Sequence, residues 1–123
     1  MVVDTSIIIQ YIRTKDKFST TLYKLTNSEV IFISTVSLYE LYIGANTTDK
    51  QNDVKLSTRN LIVLPFTYKI SVKAAEIFHQ LKAKNQLIEF RDIFITATCI
   101  MHNLPIITLN KKHFERIEGL AVA

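Results

Sequence analysis

Four short runs of aliphatic, β-branched and aromatic residues recur along the chain, at 1–3, 30–33, 61–64 and 106–107, each parted from the next by a stretch long enough for a helix. Strands joined by two-residue turns pair antiparallel. Strands separated by helical crossovers pair parallel, because the chain must return to the same end of the sheet before it extends again. Crossover helices of this kind cover both faces of the sheet. The spacing therefore predicts an α/β fold, a three-layer α/β/α sandwich around a central parallel sheet of four strands, or five if Leu120 to Val122 adds another.

With two glycines and two prolines in the chain, the limits of the helices have to be read from capping residues and hydrophobic period. Asp4-Thr5-Ser6 offers capping oxygens for a helix to about Tyr11, followed by a charged turn from Arg13 to Lys17 and a second helix from Ser19 to Asn27. Ser34-Thr35 caps a helix to about Asn46 that is apolar on most faces and is expected to be buried. The polar stretch from Thr47 to Thr58 reads as a further helix, and Pro65 stops the third strand. An amphipathic helix spans Ile70 to Lys84. Asp92 opens a strongly apolar helix to about Met101. No repeat, linker or low-complexity segment divides the chain, so residues 1–123 read as one domain.

Composition narrows the setting. With 48% of its 123 residues hydrophobic, the chain can bury a core without covalent staples. The lone Cys99 cannot form an internal disulfide and lies in an apolar run, which suits a reducing cytosol and a buried thiol. Met1-Val2-Val3 already reads as a strand rather than a secretory leader, and no apolar run approaches the roughly 20 residues that span a bilayer. A cytoplasmic protein with no membrane contact is expected. The formal net charge of +4 permits a polyanionic partner without requiring one.

In an open parallel sheet, ligands bind beyond the carboxyl ends of the strands. Asp4 follows the first strand there, and Thr108 and Asn110 follow the fourth. Asp92 begins a helix, and helix starts cluster at that same edge. Glu40 lies mid-helix among Leu38, Tyr39, Leu41 and Tyr42, where a bare carboxylate is costly to bury without a partner. Each has an ordinary structural explanation: Asp4 and Asp92 as helix caps, Glu40 as half of a surface ion pair, Asn110 as a turn residue. Apart from Arg91, however, no lysine or arginine lies within several residues of the three acids. Carboxylates sharing a pocket raise one another's pKa unless a cation sits among them, and hard oxygen ligands suit Mg²⁺ or Mn²⁺.

With these residues in view, the chain resembles a PIN domain, and more closely the VapC-type toxins of bacterial and archaeal toxin–antitoxin pairs. The resemblance covers the whole chain through VVDTSIII, TVSLYELYIGA, LIEFRDIFITATCIMHNLPIITLNKKHF and ERIEGL. It implies a parallel α/β/α sandwich with an acidic pocket, Mg²⁺- or Mn²⁺-dependent endoribonuclease activity on an RNA substrate, a homodimer, and a cognate antitoxin whose tail blocks the site. By position, Asp4, Glu40 and Asp92 match the family's first three acidic residues. Asn110 falls where many members have an aspartate, a departure that weakens any second metal site, and Thr108 matches the accompanying hydroxyl. Glu89 could add an acid at the pocket rim. Asn85 stands where a helix-ending glycine is common, which asks it to adopt a left-handed conformation.

On this reading Asp4 and Asp92 hold the metal, with Glu40 a further candidate ligand and the group that orients or deprotonates the attacking water, and no covalent intermediate is needed. Lys111 and Lys112, with His113, and Arg13, Lys15 and Lys17 on the other flank, are candidates for gripping RNA phosphates, although each also reads as ordinary solvated surface. The three histidines show no metal-site spacing and receive no catalytic role. Tyr11, Phe18, Tyr39 and Tyr42 read first as core; exposed together, they would form a docking surface for a partner or a second copy.

Rival classes fit less well. A phosphoacceptor receiver domain needs an aspartate after the third strand, where Pro65 stands, and nucleotide-binding folds need a glycine-rich phosphate loop that is absent. The remaining alternatives are a PIN-like domain that binds RNA or a partner without cutting, and an RNA-processing PIN nuclease without an antitoxin.

Overall fold

The computed structural model describes residues 1–123. Four strands, β1 (Val2–Val3), β2 (Phe32–Ser34), β3 (Ile62–Leu64) and β4 (Ile106–Ile107), form one sheet in the order β3-β2-β1-β4, with every pairing parallel. The expected fifth strand is reduced to a single bridge between Ile106 and Val122. Around the sheet run α1 (Thr5–Arg13), α2 (Thr21–Thr26), α3 (Thr35–Ile43), α4 (Thr48–Thr58), α5 (Tyr68–Ala83), α6 (Phe90–Met101) and α7 (Lys111–Phe114).

The three-layer arrangement follows from side-chain alternation along the strands. Val2, Leu64 and Ile106 enter one core with Ile70, Ala74, Ile77 and Leu81 of α5 and Ile93 and Ala97 of α6. Val3 and Ile33 enter the other with Ile7 and Ile8 of α1, Leu22 of α2, Leu41 of α3 and Val54 of α4. Each fully buried aliphatic side chain contributes about 1.5–3 kcal/mol relative to an exposed one. Shifting a strand by one residue would exchange its two sets of side chains between faces, so both cores fix the register together. Cys99 lies in the first core, where burial pushes its thiol up to about 12, as expected for an inert cysteine.

Local signals account for most helix ends. The side-chain oxygens of Thr20, Ser34, Thr47 and Thr67 cap α2, α3, α4 and α5, accepting from Tyr23, Val36, Lys50 and Ile70 amides respectively. Asn85 and Asn103 follow α5 and α6 with φ of 54° and 53°. At the first, the Gln86 amide donates to the Leu81 carbonyl and the Asn85 amide to that of Lys82; Leu104 and Asn103 repeat this pattern on Cys99 and Ile100. Both helices thus stop on paired reverse-turn bonds, with asparagine in place of the usual glycine.

Three sequence expectations change. Helix α3 is not buried: Ser37 and Leu41 are inside, whereas Tyr39, Tyr42 and Ile43 face solvent, because α3 packs along one side only. Helix α6 opens at Phe90 rather than Asp92, which places Asp92 in the first turn instead of at the cap. The second helix is shortened to Thr21–Thr26 and preceded by a 3-10 turn at Lys17–Ser19. No helix is long and apolar enough to cross a membrane.

The sheet order carries the functional consequence. From β1 the chain adds β2 and then β3 on one side and β4 on the other, so the topological switch lies between β1 and β4. A crevice at the carboxyl ends of those two strands is where a parallel sheet receives a ligand.

Candidate active site

Asp4 leaves β1 at this switch. Its amide donates to the Ile107 carbonyl at 3.0 Å, and its backbone occupies the N-cap position of α1, yet its side chain makes no capping bond. The carboxylate is instead 3% exposed and accepts from Thr108 Oγ1 at 2.8 Å and Ser6 Oγ at 2.9 Å, both at Oδ2. Ser6 Oγ in turn accepts from the Leu109 amide at 3.0 Å, and Thr108 Oγ1 from the Asn110 amide at 2.9 Å. The first acid is thus tied to the end of β4 by a closed hydroxyl network, and capping does not explain it. The second oxygen, Oδ1, has only a long 3.4 Å contact with Thr5 Oγ1.

Across a pocket of about 250 Å³, Asp4 faces Glu40, Glu89, Arg91, Asp92, Asn110 and His113, with Thr5 completing a wall that contains no hydrophobic residue. Helix α3 supplies Glu40 and α6 supplies Asp92; the two helices pack against each other. The structure thus brings Asp4, Glu40, Asp92 and Asn110 to one place, with Thr108 directly behind Asp4. Glu89 is also at the rim. Lys111 and Lys112 are exposed on α7 outside this wall. Arg13 lies apart from it, lining a neighbouring cavity of about 450 Å³ with Ile9, Ile12, Leu41, Ala45 and Val54, which Glu40 borders from the other side. Lys17 turns away from solvent to donate to the carbonyls of Tyr11 and Ile12 at the end of α1.

Two basic side chains stand beside the acids, pairings between separate helices that the sequence reading left open for Glu40 and did not name for Asp92. Arg91 Nη1 stands 3.6 Å from Glu40 Oε2, and His113 Nδ1 stands 3.5 Å from Asp92 Oδ2. The charge is only partly relieved. Burial pushes the Glu40 carboxyl above its ordinary range, with Asp92, Asp4 and Glu89 adding to the rise and Arg91 opposing it. Burial likewise raises Asp92, with Asp4 adding and His113 opposing. Glu40 Oε1 is buried without a hydrogen-bond partner, as is Ser37 Oγ one turn earlier. An orphaned carboxylate oxygen in a wholly polar pocket is what a cation or a water would satisfy.

The donor set fits a small hard cation. No three acidic, histidine or cysteine side chains converge closely enough to enclose an ion by themselves. Mg²⁺ and Mn²⁺ do not require that, since Mg²⁺ keeps several waters and is ordinarily held by one or two carboxylates. Sequence reasoning took His113 only as a phosphate grip, missing its contact with Asp92, and missed the pairing of Arg91 with Glu40. The available signal was spacing: His113 follows Asn110 by three residues, one helical turn, and is set by Phe114, which is fully buried next to it. Of the aromatics read as core, Phe18, Tyr39 and Tyr42 are exposed, while Tyr11 is partly buried.

The PIN domain profile matches residues 1–120. A protein named Ribonuclease VapC from Rickettsia bellii is 33% identical over 129 aligned positions, covering 99% of this chain and 93% of its own length. A VapC ribonuclease from Methanocaldococcus jannaschii is 30% identical over 96% of this chain and 81% of its own. Among solved structures, the Rickettsia felis VapBC2 complex bound to a promoter DNA fragment contains a chain that superposes with a TM-score of 0.88 at 24% identity, covering 99% of this chain and 96% of its own. The DNA-bound VapBC of Salmonella typhimurium gives 0.84 at the same identity, with 99% and 95% covered. These two establish the fold, and the sequence matches go further: the chain belongs to the PIN-domain family, with VapC ribonucleases as its relatives.

Proposed function

We propose that this chain is a divalent-metal-dependent endoribonuclease, a single PIN-like domain over residues 1–123 that acts in the cytoplasm as the toxin of a toxin–antitoxin pair. The observation that carries the reading is the convergence of Asp4, Glu40 and Asp92 in one apolar-free pocket, with Glu40 Oε1 buried and unpartnered.

Asp4 and Asp92 would hold Mg²⁺ or Mn²⁺, directly or through water, with Asp4 Oδ1 as the oxygen least engaged by the hydroxyl network. When bound, the metal lowers the pKa of a water and neutralises charge on the phosphodiester oxygens. Glu40 orients the attacking water and accepts its proton, and its raised pKa brings it closer to the range of a useful base. Asn110 contributes a neutral amide at the rim. Arg91 and His113 are close enough to exchange their carboxylate partners for the substrate phosphate, and Lys111 and Lys112 extend the positive surface along α7.

The antitoxin reading draws on the VapBC complexes that share this fold. The cavity beside Glu40 joins an apolar wall of Ile9, Ile12, Leu41, Ala45 and Val54 to the charged Arg13, Lys50 and Asp53, a mixed seat suited to a partner segment that also reaches the pocket. Exposed Tyr39, Tyr42 and Ile43 on α3 offer apolar contact area to a second copy.

The test is cleavage of a mixed structured-RNA pool by purified protein in Mg²⁺, Mn²⁺ or chelator, comparing wild type with Asp4→Ala and Asp92→Ala. Metal-dependent cutting that both substitutions abolish is expected. Cutting that persists in chelator, or in both variants, sinks the mechanism. No cutting by antitoxin-free wild type moves the chain to the binding-only class.

A further inference from the structure

One aromatic ring beside the pocket has no task in this chemistry. Phe90 begins α6 between Glu89 and Arg91, both of which line the pocket, and Asp92 follows one residue later. Its side chain is 57% exposed, so the ring is not core. It is nevertheless held in place: it stands edge to face with Phe94 at 5.6 Å and 70°, and Phe94 packs against the core and against Phe66 at 4.8 Å. The Arg91 guanidinium lies 5.4 Å from the centre of the Phe90 ring while its Nη1 reaches toward Glu40. A single cation therefore links the exposed ring to Glu40.

Resting on the ribonuclease reading, we propose that Phe90 and Arg91 form a nucleotide-gripping subsite at the lip of the pocket. Phe90 stacks an unpaired base next to the scissile phosphodiester, and Arg91 pairs with the adjoining phosphate. Three observations favour RNA over a protein partner as the occupant. The residues on either side of the ring in sequence, Glu89 and Arg91, are charged and line the pocket, so the ring stands just outside a polar wall. The arginine offers a planar fork that pairs with phosphate and also stacks on aromatic faces. The exposed lysines of α7 belong to a helix that packs against α6. A π face accepts any base, provided that base is not already stacked in a duplex. The subsite therefore selects single-stranded or splayed-out RNA, with little preference among bases at that position.

The chain contains no tryptophan, so Phe90→Trp installs a lone fluorophore at the lip. In chelator, a short single-stranded RNA is expected to quench its emission, and a blunt duplex of the same sequence is not. Phe90→Ala is expected to weaken binding of the single strand about 5- to 100-fold, the loss appearing in KM more than in kcat. Phe90→Tyr should recover most of that binding, and Phe90→Leu should not. Bound RNA, detected by anisotropy, that leaves tryptophan emission unchanged overturns the subsite. So does full rescue by Phe90→Leu, which would mean apolar contact alone. A Phe90→Ala variant that changes sedimentation mass but not RNA affinity would assign the ring to a protein contact instead. If wild type cuts RNA normally and Phe90→Ala does too at unchanged KM, the subsite alone is wrong. If wild type neither binds nor cuts RNA, the ribonuclease reading fails with it.

Discussion

Asp4 and Glu40 face each other across one pocket and are held by opposite means. Asp4 stands at a strand end, where hydroxyls of Ser6 and Thr108 fix it by uncharged donors built into the sheet margin. Glu40 stands on a helix, as does Asp92, and each is held from another helix by a basic side chain: Arg91 for one, His113 for the other. Uncharged donors can remain in place whatever else arrives. A guanidinium competes with an incoming metal and can be drawn off by a phosphate, and an imidazole can change partners in the same way. One wall of the pocket is therefore preorganised, and the other can rearrange.

The largest effect separating the two walls from ordinary surface is loss of charge. Asp4→Asn or Asp92→Asn should each lower kcat/KM about 10³-fold while circular dichroism stays native, and the double variant should be little worse than either, since residues acting as a unit are not additive. A double variant far below both singles would mean that the walls act independently.

Removing the restraint and keeping the acid sharpens the contrast. Thr108→Val deletes the 2.8 Å bond to Asp4; second-layer groups of this kind typically change metal affinity or activity 10- to 100-fold. Mn²⁺ titration of this variant should show weaker binding at a cost of about 1–3 kcal/mol in stability. Unchanged affinity would show that the hydroxyl network is incidental.

The helix-borne wall should respond more strongly to pH. Glu40 and Asp92 are both raised, so protons compete with metal at higher pH than for ordinary carboxylates. Mn²⁺ affinity measured by calorimetry should fall about tenfold or more between pH 7 and pH 5. A flat profile would mean that neither acid ligates.

The smallest effect is on stability, and its sign is diagnostic. A raised carboxyl holds its proton more tightly folded than unfolded, so its favourable contribution is complete below the ordinary carboxylate range. That contribution is lost as pH rises through the raised value. Glu40→Gln should therefore melt higher than wild type at pH 7.5, with the gap closing near pH 4. The same gain at both pH values would point to packing instead.

The strand-borne wall was the more legible in sequence. Asp4 and Thr108 follow short β-branched runs at 1–3 and 106–107, and strand ends in a parallel sheet converge by topology, so their meeting needed no knowledge of packing. Glu40 was legible as an anomaly, a carboxylate in an apolar helix. That helix proved half exposed, because apolar composition does not say whether anything covers a face, and Tyr39, Tyr42 and Ile43 have no cover within the chain. The edge position of β3 was equally hidden: an aliphatic run at 61–64 marks a strand without saying that it is outermost, and Ile62 and Val63 remain exposed. Arg91 and His113 lie 51 and 21 residues from the acids they pair with. Sequence period carries no signal for contacts made between separate helices.

Val2 and Val3 are neighbours in the chain and strangers in the fold, since each belongs to a different core. The sheet between them acts as a septum. Packing changes on one side have few direct contacts through which to reach the other, and distant, unshared sites combine additively. Away from the α3–α6 contact that builds the pocket, the two cores can therefore be altered separately, each keeping its own share of the fold.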